Sequence, residues 1–190
     1  NSNAQCYLGR IYYLGEYIPR DINKSIHYLN LSANKNDSDA QYLLGDIFYN
    51  GEYISRDINK SIYYFNLSAN QNHSFAQFFL GFIYYLGEYI SRDINKSIHY
   101  LTLSANQNHL VAQYFLGFIY YLGEYISRDI NKSIHYLTLS ANQYNSKAQY
   151  LLGKIYYDGK YISRDINKSI HYFKESSCFY NSIAKNYLGI

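Results

Sequence analysis

The feature that most constrains this chain is a sequence repeat of 36 residues. Alanine recurs at this interval along the whole sequence, and a series of glycines follows each alanine five residues later. An Arg-Asp pair begins at Arg20 and returns in four later copies. The stretch from Tyr84 to Leu101 is repeated without a change from Tyr120 to Leu137. A period of this length indicates stacked supersecondary units rather than one globular core.

Each repeat unit predicts two helices, of which the first is amphipathic and ends at a glycine. In the third unit, Ala76, Leu80 and Ile83 fall on one helical face. Gly87 follows this face, and glycine adopts the left-handed cap conformation at little cost. Gly81, in the middle of the helix, would destabilise an isolated helix by roughly 1 kcal/mol relative to alanine. Because a glycine returns there in every unit, we expect a neighbouring helix to approach that backbone closely.

The second helix of each unit is predicted to begin at the aspartate of the Arg-Asp pair. Asp93 is a natural N-cap, since its carboxylate can accept from unpaired backbone N–H groups. Ile94, Ile98 and Leu101 then fall on one face of the following helix. The stretch from Asn106 closes the unit with turn-forming residues. A single hairpin cannot bury both apolar faces, whereas stacked hairpins can.

We therefore predict an all-α fold, an α-solenoid (α/α superhelix) of five 36-residue helix-turn-helix repeats plus the start of a sixth. The expected array is one domain over residues 1–190, with repeats at approximately 1–36, 37–72, 73–108, 109–144, 145–180 and a partial repeat at 181–190. The sequence opens and stops within the pattern, so we expect it to be a fragment of a longer protein. The oligomeric state does not follow from the repeat.

Composition argues against several function classes. The formal charge of +3 is spread along the chain, so no basic stripe predicts nucleic-acid binding. Apolar runs are short, and none approaches the roughly 20 residues needed for direct insertion across a membrane. The two cysteines, Cys6 and Cys178, are too few for a disulfide framework or a zinc site of their own. Reduced thiols favour a cytoplasmic location. Asn-x-Ser sequons, as at Asn23, keep the lumen of the secretory pathway as the alternative.

The repeat resembles a known family. The motif A-Q-Y-x-L-G-x-I-Y-Y-x-G, then R-D-I-N-K-S-I-x-Y, then S-A-N, is similar to the Sel1-like repeat, a 36-residue relative of the tetratricopeptide repeat (TPR). The resemblance covers essentially the whole chain. It implies a TPR-like adaptor or scaffold for protein–protein interaction, including roles in membrane-associated quality-control and signalling complexes. Some members are cysteine-rich secreted proteins reported to bind β-lactams, but this chain lacks those cysteines.

The chain departs from the resembled pattern at two places. A tyrosine, first Tyr17, stands in G-E-Y-I where the family usually has a small residue, and Ser25 and its equivalents stand where the family favours alanine. Both departures are expected to alter local packing without changing the fold.

Function is best sought where the repeat units differ from each other. Three positions on the first helix, spaced three and four residues apart, vary most and share one stripe. In units three and four this stripe is apolar, and we call these six residues the aromatic floor: Phe79, Phe82, Leu86, Phe115, Phe118 and Leu122. In the flanking units it carries charged residues: Arg10, Asp46, Lys154 and Asp158.

The stripe suggests a binding surface. First helices of such solenoids line the concave face, where exposed apolar patches mark binding sites. We hypothesise that the aromatic floor binds a partner peptide or helix and that the four charged residues set its register. The alternative is that adjacent units bury Phe82 against Phe118. On the binding hypothesis, serine at both positions should abolish partner capture and leave the melting temperature nearly unchanged.

No catalytic, cofactor or metal site is predicted. His27, His99, His135 and His171 hold the same position in repeat units one, three, four and five, so copies in adjacent units lie roughly 10 Å apart, too far to share one zinc ion. Ser, His and Asp also recur at fixed positions of the repeat, whereas a catalytic triad needs one unique group of converging residues. We therefore predict a non-catalytic scaffold, not an enzyme. The alternatives are a regulatory or substrate-recruiting arm of a larger enzyme, such as a protein kinase or ubiquitin-ligase complex, and a secreted hydrolase or β-lactam binder.

Overall fold

Helical hairpins follow one another along the chain. The computed structural model describes residues 1–177, and within these residues every regular element is an α-helix. The ten helices are α1 (Ser2–Leu14), α2 (Ile22–Ala33), α3 (Ser38–Asn50), α4 (Ile58–Ala69), α5 (Ser74–Leu86), α6 (Ile94–Asn106), α7 (Leu110–Leu122), α8 (Ile130–Ala141), α9 (Ser146–Asp158) and α10 (Ile166–Ser177). The predicted all-α solenoid of 36-residue repeats is confirmed. The partial repeat at 181–190 and Cys178 lie outside the described residues.

The predicted helix ends are confirmed, and they involve an arginine as well as glycine and aspartate. Gly87 ends α5 with a φ of 64°, and an added Cβ there would lie 2.7 Å from the Cβ of Arg92. Arg92 itself donates from Nε to the carbonyl oxygen of Tyr85, 2.9 Å away, near the end of the same helix. Asp93 accepts from the Lys96 N–H at 3.0 Å and so caps α6. The Arg-Asp pair therefore joins one helix end to the next helix start.

The recurring mid-helix glycine marks the closest approach within each hairpin. A Cβ added at Gly81 would lie 2.7 Å from the Leu101 Cγ, which is closer than real Cβ contacts. Gly117 stands in the same relation to Leu137, at 2.6 Å. The predicted neighbouring helix is therefore the second helix of the same hairpin.

The hydrophobic core lies between consecutive hairpins. The chain divides into two compact units, Asn1–Leu103 and the residues from Ser104 onward. In the first unit, α2 and α3 share one buried cluster around Leu29 and Leu44, and α4 and α5 share another around Phe65 and Leu80. In the second unit, α8 and α9 form the equivalent cluster. The prediction that residues 1–190 form one array remains a prediction.

Buried polar side chains tie the hairpins together. Gln77 donates from Nε2 to the carbonyl oxygen of Ala69, at the end of α4, at 3.3 Å. In the second unit, Gln113 makes the same bond to Ala105 at 3.2 Å. These bonds satisfy carbonyl groups that a helix leaves unpaired at its C-terminus. The glutamine of the A-Q motif is therefore a structural residue.

Candidate functional site

The apolar stripe residues of the first unit are half-buried and partly integrated into its core. Phe79 stacks on Phe65 with ring centroids 5.1 Å apart and meets Tyr49 edge-on at 5.6 Å. Phe82 stacks on Phe78 at 5.9 Å. Leu86 is half-buried at the end of α5. Phe79 therefore packs against its own unit, although part of its ring stays accessible.

In the second unit, Phe115, Phe118 and Leu122 are also half-buried. Phe118 packs against the buried cluster that contains Leu137 and stacks on Tyr114 at 6.0 Å. Replacing Phe118 with serine would therefore remove packing as well as accessible apolar surface. A loss of binding in such a variant would not by itself report on the aromatic floor.

The four charged stripe residues differ in their surroundings. Arg10 and Asp158 are exposed, whereas Asp46 and Lys154 are half-buried. Asp46 accepts from the Asn50 side-chain amide at 3.0 Å, and burial raises the pKa of Asp46 above its usual value. The pKa of Tyr42 rises to about 12, mainly through burial and secondly through the negative charge of Asp46.

A cavity of about 510 Å³ opens in the first unit beside this stripe. It is lined by three consecutive first helices: α1, α3 and the start of α5. Its apolar and aromatic lining residues include Tyr7, Tyr13, Leu14, Tyr42, Leu43 and Phe75. We call this cavity the Cys6 groove, after one of its lining residues. Of the predicted site residues, Arg10 lines it, and Asp46 lies one helical turn beyond its lining residue Tyr42.

The groove exists where one small residue interrupts the repeat. Cys6 lines the groove and is half-buried. The equivalent positions in repeats two to five all carry large rings: Tyr42, Phe78, Tyr114 and Tyr150. In the second repeat, the ring of Tyr42 reaches the next hairpin and stacks on His73 with centroids 4.7 Å apart. A cysteine lacks the volume to fill that space, so a gap remains in the first repeat.

Charged residues at the rim give the groove a negative field. Asp37, Asp39 and Arg10 line it. The pKa of Cys6 is raised to about 11, mainly by burial and also by the negative charges of Asp37 and Asp39, while Arg10 has a smaller, opposite effect. The thiol is therefore protonated at neutral pH, and the two aspartates outweigh the arginine at its position.

Cys6, His73 and Asp39 share the groove but do not form a nucleophilic dyad or triad. His73 accepts the Ala76 N–H at Nδ1, 3.3 Å away, and its Nε2 contacts an Asp39 carboxylate oxygen at 3.3 Å. Both ring nitrogens are engaged in holding α5 and α3, so neither serves as a base for the thiol. A thiol with a raised pKa is also a weak nucleophile.

Of the four charged residues singled out from the sequence, Arg10 lines the groove, whereas Cys6, Phe75 and His73 were not predicted as groove residues. The signal in the sequence is the break in the repeat at position 6, where a cysteine stands in a series that is aromatic in repeats two to five. Within residues 1–177, no group of three or more His, Cys, Asp or Glu side chains is arranged to hold a metal ion. The helices described are all too short or too polar to cross a membrane.

Stacked helical hairpins with a groove along their first helices define an α-solenoid of the TPR-like class. A model of the Sel1 repeat matches residues 2–37, 38–73, 74–109, 110–145 and 146–178. The chain belongs to the Sel1 repeat family, whose members are typically protein-interaction scaffolds and generally non-catalytic.

Solved structures show the same architecture. A protective antigen of uropathogenic Escherichia coli strains, described as displaying an SLR fold, has a TM-score of 0.91 and 26% sequence identity, and the match covers 99% of this chain and 40% of the antigen. A Sel1 repeat protein from Oxalobacter formigenes has a TM-score of 0.89 and 28% identity, over 100% of this chain and 77% of that protein. Cysteine rich protein B of Helicobacter pylori shares the fold at a TM-score of 0.53 and 20% identity, over 72% of this chain and 98% of that protein. Curated protein sequences gave no significant match.

Proposed function

We propose that this chain is a non-catalytic scaffold that holds a segment of a partner protein in the Cys6 groove. The observation that carries this proposal is the lining of the groove by three successive first helices, with large side chains left exposed at its rim. Tyr7 is 66% exposed, and Phe75 projects from the start of α5. Aromatic side chains at the edge of a concave surface are typical anchors in protein–protein interfaces.

The groove has the dimensions of a side-chain pocket rather than of a whole peptide channel. A cavity of about 510 Å³ accommodates one or two large side chains of a partner. The surrounding stripe would then support the backbone of the same segment. The aromatic floor supplies further apolar surface in each unit, and its part in binding remains a prediction.

The first experiment fills the groove. Cys6→Tyr restores the aromatic residue that repeats two, four and five carry at this position, so the fold should accept it. Cys6→Ser serves as the matched control because it keeps the small volume. We expect the tyrosine variant to lose partner capture in pull-downs and the serine variant to retain it, with equal helical content by circular dichroism. Equal capture by both variants would refute the groove as the binding site.

A second experiment locates the partner directly. A photo-crosslinking amino acid is placed at Tyr7, at the groove rim, or at Tyr63 on α4, which is 59% exposed and not a groove residue. Irradiation in the native cells should yield a partner adduct from position 7 only. Adducts of the same protein from both positions would indicate non-specific proximity, and an adduct from position 63 alone would place binding on the second helices.

A further inference from the structure

We infer that the segment bound in the Cys6 groove is basic, with a lysine or arginine at the acidic rim and an apolar side chain inserted beside Cys6. This inference rests on the proposed function and adds the chemistry of the partner. It follows from a contrast in charge: the whole chain carries a formal charge of +3, whereas the groove is lined by two aspartates and one arginine.

The acidic groups at the rim are open to a partner. The side chain of Asp39 is 74% exposed, and its carboxylate lies 3.3 Å from Nε2 of His73, whose pKa is lowered by burial. The imidazole is therefore neutral at pH 7 and leaves the negative charge of Asp39 uncompensated. Asp37 caps α3 by accepting the Ala40 N–H at 3.0 Å. A cation at this rim would meet two carboxylates at once.

Asp37 and Asp39 are the two carboxylates of the lining, and Arg10 on α1 is the opposing charge. Asp46 follows the lining residue Tyr42 by one helical turn, but it is half-buried, accepts from the Asn50 amide and is not a lining residue. Lys35 lies on the loop before α3 outside the lining, and its ammonium group donates to the side chain of Gln5 at 2.9 Å. The charged lining residues therefore favour a cationic ligand.

The apolar half of the ligand follows from the apolar lining of the groove. Cys6, Leu14 and Leu43 present aliphatic or thiol surface, and aromatic side chains, such as Tyr42 and Phe75, line it as well. Insertion of a leucine or similar side chain would replace water there and occupy the space that a tyrosine ring takes in other repeats. A segment with both features is an amphipathic peptide that carries basic and apolar residues on neighbouring positions.

The test uses three labelled amphipathic peptides of equal length: one of lysine and leucine, one with every lysine replaced by glutamate, and one with every leucine replaced by serine. Binding to the full chain is measured by fluorescence anisotropy. We expect the lysine–leucine peptide to bind most tightly. We also expect its affinity to fall with added salt, because the rim contacts are exposed and screened.

Substitutions of opposite charge sense should then shift this affinity in opposite directions. Asp39→Asn should lower the affinity for the lysine–leucine peptide about twofold to fivefold, and Arg10→Gln should raise that affinity by a similar factor. This is the range expected for exposed ion pairs. Glu124→Gln, which neutralises an exposed carboxylate of the second unit outside both the stripe and the Cys6 groove, is the matched control and should leave the peptide affinity unchanged.

The outcomes separate this inference from the proposed function. If the glutamate peptide binds as tightly as the lysine peptide, or if Asp39→Asn and Arg10→Gln have no effect while Cys6→Tyr abolishes binding, the groove binds partners but the basic ligand is wrong. If Cys6→Tyr leaves every peptide affinity unchanged, the peptides bind elsewhere, and both the groove and its basic ligand are refuted. If Asp39→Asn, Arg10→Gln and Cys6→Tyr all change the peptide affinity as expected, the result supports both the groove as the binding site and its basic ligand.

Discussion

Ser133 and Ser169 occupy the same position in repeats four and five, but their hydroxyl groups have different surroundings. Both side chains are buried. The Ser169 hydroxyl donates to the carbonyl oxygen of Gly153 at 2.9 Å. Within the described residues, the Ser133 hydroxyl oxygen has no hydrogen-bond partner, and the same holds at Ser25, Ser61 and Ser97. This is the position where the resembled family favours alanine.

Alanine at these two positions should therefore change stability in opposite directions. Ser133→Ala removes an unsatisfied buried hydroxyl and should raise the free energy of unfolding by about 1 kcal/mol. Ser169→Ala removes a formed hydrogen bond and should lower it by about 1 kcal/mol. Chemical denaturation of the two variants provides the comparison, and shifts of the same sign would contradict the hydrogen-bond account.

His73 makes the stability of the first unit depend on pH. Its Nδ1 accepts the Ala76 N–H, so this nitrogen must stay unprotonated for the cap to persist. Burial lowers the pKa of His73 below its ordinary value of 6.5, although Asp39 acts in the opposite direction. Tyr42 and Phe75 cover the ring. The unfolded chain therefore binds the proton more readily than the folded one.

Acidification should accordingly destabilise the protein through this residue. The contribution of His73 is complete above pH 6.5 and is lost progressively as the pH falls below that value. His73→Asn keeps a good N-cap without a titrating ring, as Asn145 does at α9. We expect the variant to lose less stability than the native chain between neutral and mildly acidic pH in urea denaturation. An identical pH dependence would show that the cap is not the titrating group.

At the scale of elements, the turn between hairpins requires a left-handed residue. Asn36, Asn72 and Asn108 fill this position with φ values of 60° to 63°, and the fifth helical hairpin is preceded by Tyr144 with φ 62°. Asparagine tolerates this conformation better than residues with bulky side chains do. The turn before α9 therefore carries a conformational cost that the other turns avoid.

Tyr144→Asn should relieve this cost and raise the melting temperature, with a gain of about 1 kcal/mol in the free energy of unfolding. The reverse change, Asn108→Tyr, should lower stability by a comparable amount in the same unit. Differential scanning calorimetry of both variants decides the point. A stabilised Asn108→Tyr would be incompatible with a strained Tyr144.

The G-E-Y-I tyrosines connect the loops of consecutive repeats. The Arg20 guanidinium lies over the Tyr53 ring, 4.3 Å from its centroid, and Arg128 lies over Tyr161 at 4.2 Å. Each arginine also bonds carbonyl groups at the end of its own first helix. The larger side chain at this family position therefore forms a cation–π contact that a small residue would not make.

Tyr53→Ala should cost about 0.5–1 kcal/mol of unfolding free energy, the range for an exposed cation–π contact. Tyr17→Ala is the matched control, because Tyr17 holds the same position in the first loop but is 88% exposed. Equilibrium denaturation should separate the two variants. Equal losses in both would show that the tyrosines act through something other than the arginine contact.

At the scale of the whole molecule, positions that repeat and positions that vary have different roles. Gly81, Asp93 and Gly87 could be assigned from sequence because each creates a local requirement: a close approach, a cap and a left-handed turn. Each requirement involves residues of the same repeat unit, and these residues recur with the repeat. The hairpin architecture therefore follows from the sequence pattern.

The groove could not be assigned in the same way. The volume of the groove depends on how completely the side chains of three different helices fill the space between them. The sequence period does not report how well these side chains pack. Cys6 is unremarkable as a single residue and informative only against Tyr42, Tyr114 and Tyr150. The histidine caps were missed for a similar reason, since His73 lies in a turn whose neighbours become known only from the structure.

On our proposal, the variable stripe of the first helices, and not the repeated surface of the second helices, holds the partner. The decisive measurement is a set of amide NMR spectra of the chain during titration with the lysine–leucine peptide. We expect the perturbed amides to cluster in α1, α3 and the first turn of α5, and we expect Cys6→Tyr to abolish these changes. Perturbations centred on α2 and α4, or unaffected by Cys6→Tyr, would contradict it.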